Sequence, residues 1–102
     1  MTADTGAVTV EATSWVTKFL GGDGTGRMLI DVPVGPGATV RSVLTALSSQ
    51  HRELDDVLWN GRELGEHMEV LVNDAVLGIA HEIDSPVAPG DRITLLPQFV
   101  GG

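Results

Sequence analysis

Residues 27–34 read Arg-Met-Leu-Ile-Asp-Val-Pro-Val, and this alternation constrains the fold more than any other stretch. Met28, Ile30, Val32 and Val34 fall on one side, Arg27, Leu29, Asp31 and Pro33 on the other, the pattern of a strand with one buried face. Pro33 has no N–H to give to a ladder, so it belongs at a strand end or on a sheet edge. Upstream, residues 7–13 alternate the same way, with Val8, Val10 and Ala12 on one face. Between the two lies Gly21-Gly22-Asp23-Gly24-Thr25-Gly26, a loop by composition. Two strands joined through such a loop read as a hairpin.

The period then changes. Gly35-Pro36-Gly37-Ala38 breaks the strand, and Thr39 is placed to cap a helix over about 39–50. Val40, Val43, Leu44 and Leu47 form its i, i+3, i+4, i+7 stripe. Residues 51–67 read as a polar, irregular connection from which Leu54, Leu58 and Trp59 tuck under the sheet. Met68–Asn73 is a third strand with Val70 and Val72 inward. Asn73-Asp74 is a turn signal, and 75–77 a short return strand. Arg92–Leu96 is the last, with Ile93 and Leu95 inward. One helix with this set of strands makes an α+β fold: a mixed sheet of four to five strands packed on one main helix. After so long a connection the last strand has room to lie centrally and parallel to the first. The expected organisation is a flexible N-terminus (1–6), one domain (7–97) and a flexible C-terminal tail (98–102).

Composition narrows the function. The chain has 102 residues, 14 acids against 6 bases, a formal net charge of -8 and no cysteine. Nucleic-acid binding needs clustered bases, and here one lysine, Lys18, stands with five scattered arginines. Between Glu53 and Glu69 the acids form either a solvated face or a surface that steers a basic partner. Without cysteine there is no disulfide framework, thiol nucleophile or CxxC redox pair. No apolar run reaches membrane-span length and Met1–Gly6 carries no signal-like pattern, so a cytoplasmic location is expected. His51, His67 and His81 lack ligand spacing, so no metal site is expected. The Gly21–Gly26 loop matches no phosphate-binding motif and precedes a strand rather than a helix, which makes it a hairpin loop. Trp15 and Trp59 read as packing residues.

The sharpest motif is Gly101-Gly102. With 13 glycines in 102 residues, a closing Gly-Gly is a roughly 1.6% event by composition. Two residues without Cβ atoms can enter a narrow channel in any backbone conformation and present a carboxylate at the tip. Phe99 and Val100 just before it either pack back on the domain or anchor the tail in a partner. Leu71 and Leu96 fall on the outward side of their strands, either as an apolar docking patch or under an unforeseen loop.

These pieces together resemble the ubiquitin-like β-grasp sulfur carriers: the thiamine-pathway carrier, the molybdopterin synthase small subunit and, nearest, the thiocarboxylate carrier of cysteine synthesis. The resemblance rests on Val8-Thr9-Val10, Gly37-Ala38-Thr39-Val40, Val70-Leu71-Val72-Asn73-Asp74, and Pro89-Gly90-Asp91-Arg92-Ile93-Thr94-Leu95-Leu96-Pro97 followed by Gly101-Gly102. It implies that the Gly102 carboxylate is adenylated by an E1-like enzyme using ATP and magnesium and is then converted to a thiocarboxylate. It also implies tail recognition through Phe99, Val100 and Gly101, and a sulfur-accepting biosynthetic enzyme as second partner. The carrier itself is then no enzyme, binds no cofactor and is a monomer when free. Gln98-Phe99-Val100 departs from the small-residue approach to Gly-Gly common in the family, which suggests a dedicated activating enzyme. A covalent protein modifier and a non-covalent interaction domain remain alternatives.

Overall fold

The computed structural model describes residues 6–65, 68–77 and 82–97. The expected N-terminal arm (but for Gly6) and C-terminal tail, with Phe99, Val100, Gly101 and Gly102, lie outside the described residues.

β1 (Gly6–Thr13) buries Val8, Val10 and Ala12 completely, as alternation requires. Gly6 is where the chain passes Pro89: a Cβ there would collide with the proline Cβ. β2 (Arg27–Val34) pairs antiparallel with β1 from Gly6↔Val34 to Thr13↔Arg27. The connection between them is more than a loop, because Ser14–Leu20 forms a 3-10 helix burying Val16, Thr17 and Leu20. Ser14 leaves the strand at φ 58°, a left-handed conformation that costs a residue with a Cβ about 1–2 kcal/mol. Thr17 offsets it. Its hydroxyl donates to Ser14 O at 2.9 Å and accepts from Gly24 N at 3.0 Å, tying helix and glycine loop together. Gly21, at φ 92°, ends the helix.

α1 (Val40–Gln50) starts where the cap predicts. Thr39 Oγ1 accepts from Ser42 N at 3.1 Å and Ser42 Oγ accepts from Thr39 N at 2.8 Å, a reciprocal capping box. The next two first-turn donors, normally without partners, are met from outside the helix: Val40 N–H by Ser85 O and Arg41 N–H by Ile83 O. Val40, Val43, Leu44 and Leu47 are all buried.

The 51–67 connection is not irregular. Arg52–Leu58 is a second helix, α2, burying Leu54 and Leu58, and β3 (Trp59–Asn60) with β4 (Glu63–Leu64) forms a separate two-stranded ribbon. Gly61, at φ 67°, supplies the left-handed residue of the ribbon's two-residue turn. Trp59 Nε1 donates to Ser48 Oγ at 3.0 Å, so this tryptophan packs on α1. Seven residues with one Leu/Leu pair are too few for a periodic signal; α2 exists because α1 and the 3-10 helix accept its apolar side.

β5 (Met68–Val72) and β6 (Ala75–Val76) pair antiparallel through Asn73 and Asp74, both at positive φ (50° and 72°). β7 (Arg92–Pro97) completes a five-stranded mixed sheet of order β2-β1-β7-β5-β6. It lies parallel to β1 and antiparallel to β5, with Ile93 and Leu95 fully buried beneath it. No helix among the described residues is long and apolar enough to cross a membrane.

Candidate functional site

β7 is the central strand of the sheet and ends at Pro97, immediately before residues 98–102 in the sequence. Its start is held by two segments far apart in sequence. Asn73 N–H donates to Arg92 O at 2.9 Å, and Asn73 Oδ1 accepts from Arg92 N at 2.9 Å. Asn73 Nδ2 donates to Asp91 Oδ1 at 3.2 Å, while Asp91 Oδ2 accepts from Ala88 N at 2.9 Å. The Asn-Asp and Pro-Gly-Asp runs, which the sequence shows as separate turns, are therefore one locked corner. Gly90, at φ 95°, lets the chain turn into the strand. The far end, Pro97, is still paired, opposite Met68.

The sheet face away from α1 carries the expected docking pair. Leu71 and Leu96 are half-buried and on the same face, but not directly opposed: Leu71 faces Thr94 and Leu96 faces Glu69. They are diagonal neighbours, within reach for leucine side chains. Across the sheet, one row runs Leu29–Glu11–Thr94–Leu71–Val76. Leu29 is 56% exposed, the one exposed large hydrophobic residue among those described. Alternation put Leu29 outward, yet only the register shows that it shares a row with Leu71. Glu11, with its side chain 12% exposed, sits in that row between Arg27 (3.6 Å) and Arg92 (3.4 Å). Nothing in the sequence links these three residues, since β1, β2 and β7 meet only in the sheet.

Elsewhere charge serves structure. Arg41 grips Asp84 with two nitrogens (2.7 and 3.3 Å) and donates to Arg62 O at 2.7 Å, linking α1, the β3–β4 ribbon and the 82–87 segment. The hydrogen bonds from Arg41 hold the Asp84 carboxyl below the ordinary aspartate range, with burial pushing weakly back, and the same contact raises the Arg41 guanidinium. Asp23 is likewise lowered, by hydrogen bonds from Thr25 inside the glycine loop. That loop leads into β2, as a hairpin connection does. No group of three or more metal-ligating side chains occurs among the described residues. His67 and His81 lie outside them.

A five-stranded mixed sheet with its first and last strands parallel and central, packed on α1, is the ubiquitin-like β-grasp. A family model described as the ThiS family matches residues 30–102. The chain belongs to that family. The crystal structure of SAMP1 from Haloferax volcanii shares 27% identity at a TM-score of 0.63, covering 92% of this chain and 99% of that one. The Amycolatopsis orientalis BexX/CysO complex matches at 24% and 0.67, covering 91% and 99%. The HVO 2177 protein of Haloferax volcanii matches at 20% and 0.76, covering 100% and 92%. No curated protein sequence matches the chain.

Proposed function

We propose that this protein is a sulfur carrier whose cargo is borne on the Gly102 carboxylate. The observation that carries the reading is a family match running through residue 102, on a fold whose central strand leads to the Gly-Gly. The carboxylate oxygen attacks the α-phosphorus of ATP, with magnesium, in an E1-like partner, and pyrophosphate leaves. Sulfide-level sulfur (hydrosulfide from a donor) then attacks the acyl carbon and AMP leaves, giving a thiocarboxylate. Sulfur is the better nucleophile, so it attacks an electrophilic carbon held by a biosynthetic acceptor enzyme, and hydrolysis of the resulting thioester breaks the Gly102 C–S bond and returns the carboxylate. The carrier needs no catalytic side chain of its own, activation and proximity coming from the partners. ATP use fits a cytoplasmic setting.

Gly101 and Gly102 suit a narrow activating channel, with Phe99 and Val100 as anchors. Leu71 and Leu96, extended by Leu29, form the apolar face against which the activating enzyme docks. CysO of Amycolatopsis orientalis, to which this chain is similar, is seen in a complex with BexX, which supports a protein partner for this carrier. Incubation with a co-encoded activating enzyme, ATP, magnesium and a sulfur source should raise the intact mass by one oxygen-to-sulfur exchange, and deletion of Gly102 should abolish it. An unchanged mass would sink the proposal. The resemblance to SAMP1, a small archaeal modifier protein by name, favours one second reading: the same tail forms isopeptide bonds on target lysines. Higher-mass conjugates that vanish on deleting Gly102 are its signature.

A further inference from the structure

Among the described residues the sheet order leaves two edges. One is β6, two residues long; the other is β2, eight residues long. Which backbone groups of β2 face outward follows from its neighbours. Thr9 N–H bonds Asp91 O on the β7 side at 3.1 Å, whereas Ser14 N–H bonds Gly26 O on the β2 side at 2.8 Å. Even-numbered residues therefore join β1 to β2, and Arg27, Leu29 and Asp31 turn their N–H and C=O groups to the open side. Pro33, next in that series, has no N–H, so the donor row stops there.

We propose that this edge is self-complementary and that its occupant is a second copy of the chain, paired antiparallel to β2 about a two-fold axis at Leu29. In that register Leu29 faces Leu29 of the second copy and Arg27 faces its Asp31. Three facing pairs exchange two backbone hydrogen bonds each, and the two sheets continue as one. Ion pairs then form on both sides of a leucine contact that covers the 56% exposed side chain. On the helix side, half-buried Met28 faces Ile30. Shifting the register by four residues either way opposes Arg27 to Arg27 or Asp31 to Asp31. Shifts by two leave Arg27, 3.6 Å from Glu11 of its own chain, and Asp31 with no opposite charge facing them from the second copy. Charge and Pro are common ways to blunt an edge, but charges of opposite sign placed symmetrically about an exposed leucine favour one pairing. A cleft of about 100 Å³ lies between β2 and α1, lined in part by Ile30, Val32 and Leu47.

Contact through one strand edge is small for an interface, so the dimer is weak, with a dissociation constant on the order of 100 μM. It leaves β7, Leu71 and Leu96 uncovered, takes only the Leu29 extension of that apolar face, and does not depend on the carrier reading. Sedimentation of the full chain from about 10 μM to about 1 mM should show reversible dimerisation. Arg27→Asp turns both ion pairs into repulsions and should weaken it at least about tenfold, while the swap R27D/D31R should restore it, with circular dichroism showing each variant folded. The absence of cysteine permits a register test. Leu29→Cys should oxidise to a disulfide-linked dimer much faster than Asp31→Cys, because facing Cα atoms lie about 5.5 Å apart whereas the two residues at position 31 lie about 14 Å apart. A monomer at every concentration, failure of the swap to restore dimerisation, or equal oxidation rates would each overturn the proposal. So would pairing seen only with an extended segment of another protein.

Discussion

Thr17→Val isolates one hydroxyl. The side chain is fully buried, and valine keeps its volume and β-branching, so no cavity forms. What is lost is the bond to Ser14 O at 2.9 Å and the acceptor for Gly24 N at 3.0 Å; the 3.4 Å approach to Thr25 O adds little. A buried group deprived of its partner costs about 1–3 kcal/mol. Two groups set an upper range of about 2–6 kcal/mol, and the half-buried position of Gly24 lets water satisfy part of it, leaving about 2–3 kcal/mol. For a domain this size that lowers Tm by about 10–20 °C. Urea and thermal melts measure it, and hydrogen exchange at the Gly24 amide should accelerate. Thr17→Ser keeps the hydroxyl and should leave that amide protected. A loss under about 0.5 kcal/mol would show that the helix–loop unit does not depend on this hub.

Thr39→Ala removes half of the capping box and should cost about 1 kcal/mol in urea unfolding. Gly22→Ala places a Cβ 2.7 Å from Met28 Sδ and 3.0 Å from Thr17 O; the thioether can shift but the carbonyl cannot, so a lower Tm is expected. Asp84 is held below its ordinary value by Arg41. Its contribution to stability is therefore complete above the unfolded-state value and is lost as pH falls through the lowered folded value. Urea midpoints of Asp84→Asn should lie below wild type at neutral pH and converge with it in acid.

Strands and α1 were legible because each buries one face only, so period 2 or 3.6 is written directly into Val8/Val10/Ala12, Met28–Val34 and Val40/Val43/Leu44/Leu47. The 3-10 helix and α2 were not. Each is seven residues long, and each is helical because a neighbour receives its two or three apolar side chains. At the candidate site, Leu71 and Leu96 were visible by alternation, whereas Leu29 as their row-mate and the Arg27–Glu11–Arg92 cluster were not. Cross-strand neighbours depend on register, which a local pattern does not encode.

By itself, then, the sequence determined the α+β class, the inward faces, the Thr39 cap, the turn at Asn73-Asp74 and the closing Gly-Gly, all consequences of side-chain chemistry within a few residues. It took the assembled sheet to make β7 central and parallel to β1, to let Asn73 lock Asp91 and Arg92, and to leave β2 as an edge among the described strands. Those outcomes depend on which distant backbone donors and acceptors find each other once the apolar faces have been buried together, and that choice belongs to the folded chain as a whole.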